Sequence, residues 1–230
     1  MASLSRRSGD PAVFVAEHEA VYTVGRAGVR RAVAPGDPAR WPNVTDPRHP
    51  VVELDRGGDV TYHGPGQAVV YPVLPLRKLG LTLLGYMRAL EGAGVDALAR
   101  CGVEAFRRDG FTGVWVRRDG EAAKIGSIGV GCRRWVTYHG MSVNVSCDLD
   151  SFSDIRSCGI EGVQVTSLAE MASRDAAVRV PSVPELGREV AVSLAGSVGI
   201  ELEEAGPGFA AACLPSRGQA SENRTEGLDA

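Results

Sequence analysis

From Val51 to Val145 the chain alternates short apolar, β-prone segments with turn pairs built from Gly, Pro and Asp. That rhythm is the signature of strands folded into hairpins. Strands are expected at Val51–Leu54, Val60–His63 and Ala68–Val73, the last two separated by His63-Gly64-Pro65-Gly66, and again at Thr112–Arg117, Lys124–Cys132 and Trp135–Val145. The Asp119-Gly120 pair between two of these suits a two-residue hairpin turn. A further strand is expected at Ala12–Ala16, and residues 27–50, rich in Pro, Gly and Arg, read as a long surface loop. Helical signals interrupt the strands. Thr82 is an N-cap for a helix to about Cys101 with Leu83, Met87, Leu90 and Leu98 on one face; a short helix follows Ser167, and Pro184 opens another to about Val198. Strands in hairpins with a few packed helices define an α+β fold, with one domain over 12–205, a loose segment over 1–11 and a disordered tail over 206–230.

Composition narrows the functional class. With 230 residues and 44% apolar content the chain can bury a core, while its apolar runs fall well short of the roughly 20 residues of a membrane-spanning helix. No apolar segment follows the basic start Arg6-Arg7, so a cytoplasmic location is expected, with no membrane partner. The net charge of −3 gives no reason to expect nucleic acid, and the Arg-Arg pairs at 30–31, 107–108, 117–118 and 133–134 are at most local basic patches. Five cysteines without any CxxC pair argue for reduced thiols and against a disulfide framework or a structural metal site.

Lysine usage is the next signal. Of 25 basic residues only Lys78 and Lys124 are lysines, and arginine cannot give up its proton in a protein. Lys78 reads as part of an exposed connection. Lys124 sits in a strand among Ala122, Ala123, Ile125 and Gly126, so its ammonium is expected to be partly desolvated and able to exchange a proton. Three glycine-rich segments surround a reactive side chain: Arg56-Gly57-Gly58-Asp59-Val60-Thr61-Tyr62-His63-Gly64-Pro65-Gly66-Gln67, Lys124-Ile125-Gly126-Ser127-Ile128-Gly129 and Ser157-Cys158-Gly159-Ile160. Taken singly, each fits an ordinary hairpin or bulge equally well. Cys158, in a polar loop, could expose a reactive thiol, whereas Cys101 ends an apolar helix and Cys213 lies near the tail; Cys132 and Cys147, at strand ends, stay open as candidates.

Together with Thr137-Tyr138-His139-Gly140, Asn144 and Val165-Thr166-Ser167-Leu168, these segments resemble the lipoyl(octanoyl) transferase family, in order and over about residues 17–170. The resemblance implies a mixed, largely antiparallel sheet with packed helices, similar to the catalytic domains of biotin and lipoate protein ligases. It implies transfer of octanoyl, without a bound cofactor, from the phosphopantetheine of acyl carrier protein to a lysine of lipoyl-domain proteins, namely 2-oxoacid dehydrogenase subunits and the glycine cleavage H protein. Cys158 would carry the acyl group as a thioester, and Lys124 would favour the thiolate and act as acid and base. The acyl group would lie against Arg56, Gly57, Gly58, Asp59, Val60, Thr61, Tyr62 and His63, against Ser127, Ile128 and Gly129, and against Gly140, Met141 and Ser142. His63 and His139 are rival bases by residue type, each expected to follow a strand, and are expected to shape the pocket.

Some positions depart from the family pattern: only 16 residues precede Glu17, where a further strand and helix are usual, and Glu19 and Ser157 stand where proline is usual. None removes a reacting group. An ATP-dependent lipoate or biotin protein ligase remains an alternative, although no Gly-Arg-Gly-Arg-type loop or P-loop is found. A non-catalytic module binding an acyl carrier is the other.

Overall fold

A computed structural model describes residues 11–33, 40–156 and 163–202. Ten strands and four helices alternate along it: β1 (Ala12–Ala16), β2 (Val21–Val24), α1 (Arg26–Val29), β3 (Val51–Glu53), β4 (Val60–His63), β5 (Gln67–Val73), α2 (Leu83–Ala99), β6 (Ala105–Arg108), β7 (Phe111–Arg118), β8 (Glu121–Arg133), β9 (Val136–Asn144), β10 (Gln164–Val165), α3 (Leu168–Arg174) and α4 (Val183–Val198). The seven-stranded sheet runs β1-β5-β9-β8-β7-β6 with β10 alongside β8, and a second sheet has the order β3-β2-β4. The fold is α+β and mainly antiparallel; β10–β8 and β2–β3 are parallel pairs.

Local chemistry explains the hairpins. Asp119 and Gly120 both take positive φ, at 52° and 84°, as a two-residue turn with the twist of its flanking strands requires. Arg134 and Trp135 do the same at 51° and 66°, so Trp135 belongs to the β8–β9 turn and not to the strand expected from Trp135 onward. Neither is glycine. The turn is held by Leu76 N–H donating to the Trp135 carbonyl at 2.8 Å and by the Arg77 guanidinium stacked 4.8 Å from the indole centroid.

Caps set the helix starts. The hydroxyls of Thr82, Ser167 and Ser182 accept from Gly85, Glu170 and Glu185 N–H, and Ser182 with Glu185 forms a capping box ahead of Pro184. The buried face of α2 is Tyr86, Leu90, Ala93, Gly94, Ala97 and Leu98. Leu83, expected on that face, is 41% exposed, because the stripe begins one turn later at Tyr86. Gly94 lets α2 approach the sheet closely: a Cβ there would meet Val114 at 2.7 Å and Met141 at 2.8 Å. Helices α2 and α4 pack on one face of the large sheet and on each other, and α4 also lies along β1 and β5. Fully burying each Leu or Val in this core stabilises the fold by about 1.5–3 kcal/mol. A smaller cluster of Tyr22, Tyr62 and Phe152 sits beneath the three-stranded sheet.

The stretch over 27–50 is not wholly loop. Its first residues complete α1, and Val44 bridges Ile155. The expected loose segment over 1–11, Pro11 apart, and the expected tail over 206–230 lie outside the described residues. No helix among the described residues is long and apolar enough to cross a membrane.

Candidate active site

The face of the large sheet opposite α2 and α4 meets the three-stranded sheet across a cavity of about 290 Å³. Strand alternation decides what reaches it. Ala123 and Ile125 join the helical core, so Lys124 between them projects into the cavity, where it is only 4% exposed.

Three neighbours position that lysine. The β7–β8 register shifts between Val114↔Gly126 and Trp115↔Lys124, leaving Ile125 as the extra residue of a bulge. Gly113, at φ 129°, lies against the lysine stem: a Cβ there would come within 2.7 Å of Lys124 Cε and 2.6 Å of the Gly126 carbonyl. Its N–H donates to Glu91 Oε1 at 3.2 Å, tying the bulge to α2. The Lys124 ammonium sits 5.6 Å from the Trp115 ring centroid, a cation–π contact, and the indole N–H donates to the Phe111 carbonyl at 3.2 Å. On the other side Val165 of β10 pairs with Lys124, and Thr166 N–H donates to the Lys124 carbonyl at 3.0 Å. Arg118 fastens this strand by donating to Glu170 at 2.9 Å and to the Val165 carbonyl at 3.3 Å.

The cavity collects most of the residues expected from the sequence. Arg56, Gly58, Asp59, Val60, Thr61, His63, Ser127, Ile128, Gly129, Gly140, Met141 and Ser142 all line it with Lys124. Gly57 and Tyr62 do not. Gly57 N–H donates to the Val130 carbonyl at 2.8 Å, and the Tyr62 ring turns away to pack against Tyr22 and Phe152. Arg56 is buried and spends its guanidinium on Thr23, donating to its carbonyl at 2.5 Å and its hydroxyl at 2.8 Å. This joins the glycine-rich segment to β2.

Both histidines line the cavity. His63 ends β4, as expected; His139 instead lies within β9 with φ 58° and bonds Asp55 Oδ1 at 2.8 Å. That bond holds the Asp55 carboxyl below its ordinary range. Burial pushes the His63 imidazole down to about 4, and lowers His18 as well. Burial also raises the thiol of Cys147 to about 12 and that of Cys101 above its ordinary value, which makes both poor nucleophiles. Cys158 lies outside the described residues. Among the described residues no cluster of His, Cys, Asp or Glu could hold a metal ion.

Sequence reasoning missed His18, Thr23, Tyr71, Gly113 and Trp115. His18 and Tyr71 join across 2.5 Å at the cavity wall. The available signals were the alternation of Val21-Tyr22-Thr23-Val24 beside His18 and, for Tyr71, its place in the expected strand Ala68–Val73; nothing local marked Trp115 or Gly113, whose roles depend on β7 pairing with β8.

A buried lysine over an apolar cavity, framed by glycine-rich strands on this α+β scaffold, defines a class. The model of the lipoyl protein ligase A/B catalytic domain matches residues 1–185, and the chain belongs to that family. Within it, the chain is 46% identical over 171 residues to an octanoyltransferase of Novosphingobium aromaticivorans, covering 74% of this chain and 72% of the relative. It is 44% identical over 167 residues to one of Syntrophotalea carbinolica, covering 73% and 72%. Among solved structures it is similar to lipoate-protein ligase A bound with ATP, with a TM-score of 0.62 at 15% identity over 85% of this chain and 75% of that one. It is also similar to Ta0514, a putative lipoate protein ligase from T. acidophilum with bound lipoic acid, at 0.61 and 17% over 86% and 77%. At such identities these two likenesses show the fold alone.

Proposed function

We propose that the chain moves an octanoyl group from acyl carrier protein to the lysine of a lipoyl-domain protein, through a thioester on Cys158, in lipoate biosynthesis. It is an acyltransferase, an octanoyltransferase like its curated relatives. The observation that carries the mechanism is Lys124, buried at the wall of a cavity whose lining includes Val21, Val52, Leu54, Val60, Val69 and Ile128. Burying the hydrocarbon of an octanoyl chain there contributes about 5 kcal/mol at roughly 0.8 kcal/mol per methylene.

The chemistry follows from a thiol beside an ammonium. The Cys158 thiolate attacks the carrier thioester carbonyl, and the Lys124 ammonium protonates the departing pantetheine thiolate. Lys124, now neutral, accepts a proton from the acceptor amine as that amine attacks octanoyl-Cys158. An amide forms, Cys158 leaves as thiolate, and Lys124 is again an ammonium. No ATP is consumed.

The test is intact-mass measurement after mixing the protein with octanoyl-acyl carrier protein. One octanoyl group is gained by the natural chain and none by Cys158→Ala. Acylation that persists in Cys158→Ala, or that requires ATP, overturns the reading in favour of another nucleophile or of ligase chemistry.

A further inference from the structure

A chain of buried amides runs from β10 to the cavity. Asn144 Nδ2 donates to the Thr166 carbonyl at 2.9 Å, and Gln67 Nε2 donates to Asn144 Oδ1 at 2.8 Å; His63 Nδ1 then lies 2.7 Å from Gln67 Oε1. Both amides are at least 96% buried. Their orientation is fixed by chemistry. The Thr166 carbonyl can only accept, so the Asn144 atom facing it is the amino group, and the oxygen faces Gln67. Gln67 is fixed a second time because its amino group also donates to the Tyr62 carbonyl at 3.3 Å. Its oxygen therefore faces the ring, and Nδ1 must carry the proton.

The other ring nitrogen is left as an acceptor. His63 lines the cavity, and among the described residues its Nε2 has no hydrogen-bond partner. Burial is the largest influence on the ring and opposes a positive charge there; the Gln67 bond acts the other way, and Arg56, His18 and His139 act with burial. Glu19, Asp59 and Lys124 line the same cavity, and with burial dominant the ring is neutral at neutral pH.

We infer that Gln67 and Asn144 are positioning residues that lock His63 in the Nδ1–H tautomer, so that Nε2 accepts an N–H from the primary amine attacking the acyl group. The identity of the amine rests on the octanoyl-transfer reading; the tautomer does not. His63 here is a fixed acceptor that orients the amine, and no proton leaves the amine through it. The role asks for a rigid relay because a ring free to flip would offer Nε2–H, a donor, to the substrate in part of the population.

Two measurements test this. In the natural chain at neutral pH, two-bond ¹H–¹⁵N correlation spectra, with His63 assigned by its loss in His63→Asn, are expected to show Nδ1 protonated and Nε2 bare. An Nε2–H or averaged pattern overturns the inference. Gln67→Glu keeps an oxygen on Nδ1–H but replaces the amide by a carboxylate, which favours the imidazolium and removes the Nε2 lone pair. In that variant, transfer to the acceptor from protein already carrying the octanoyl group falls about tenfold at neutral pH, the scale of one net hydrogen bond. Measured against the natural chain, the deficit closes as pH rises and the ring loses its proton. A pH-independent deficit, or none, refutes the acceptor role. Failure of the natural chain to load octanoyl at all refutes the octanoyl reading and the amine as ligand, and the spectra then decide the tautomer on their own.

Discussion

Gly113→Ala joins the scaffold to the chemistry in one substitution. At φ 129° the new side chain faces a backbone cost of roughly 1–3 kcal/mol. Its Cβ would lie 2.6 Å from the Gly126 carbonyl and 2.7 Å from Lys124 Cε. The carbonyl belongs to the strand paired with β7 and moves only with the sheet, an overpacking cost of about 1–3 kcal/mol. Together these predict a loss of roughly 2–6 kcal/mol of unfolding free energy, read by urea titration. The lysine stem yields more easily, because it is the flexible end of the contact. A displacement of about 1 Å at Lys124 Nζ lowers octanoyl loading by about 10²-fold. Gly80→Ala is the control: φ is 65° and no atom lies within 4 Å of the added carbon, so it carries a left-handed backbone cost of about 1–2 kcal/mol and leaves loading unchanged. If Gly113→Ala costs no more than Gly80→Ala and loads normally, Gly113 does not hold the lysine in place and the reasoning fails.

Three further outcomes are expected. Lys124→Arg keeps the positive charge yet loses transfer by 10²-fold or more in a single-turnover assay, since a guanidinium cannot accept the amine proton; near-normal turnover reduces Lys124 to an electrostatic aid. Stability falls as pH drops from about 7.5 towards 5, by roughly 1–2 kcal/mol once screening at the cavity is allowed for, because unfolded His63 binds a proton near pH 6.5 and the folded ring resists it down to about 4; equal urea midpoints at the two pH values contradict this. Ser182→Ala removes the capping box of α4 and lowers stability by about 1 kcal/mol without changing octanoyl loading, which thermal unfolding and the mass assay together check.

Much of the fold was legible because its signals are local. Val60–His63 forms the strand its alternation predicts, and Thr82, Ser167 and Ser182 open helices because a side-chain oxygen satisfies an orphan N–H within three residues. The strands β2, β6 and β10 were not foreseen. Two to four residues carry little periodicity, and β10 exists because the N-terminal half of β8 runs past the end of β9 and leaves an edge for Gln164 and Val165 to pair with. The non-glycine turn at Arg134-Trp135 was hidden for a related reason: its support comes from Leu76 and Arg77, nearly sixty residues upstream.

The site divides along the same line. The sequence by itself singled out the candidate reacting types: one of two lysines among arginines, set between small residues, with glycine-rich segments and Cys158 in the order that the family resemblance implies. Those are properties of residues and their near neighbours, and they persist in any conformation. Only the tertiary structure decided that Lys124 lies between Gly113 and Trp115, that Tyr62 turns away from the cavity while His63 turns into it, and that two buried amides choose the His63 tautomer. Those facts depend on strand register and the bulge at Ile125, where a shift of one residue moves a side chain to the opposite face of a sheet.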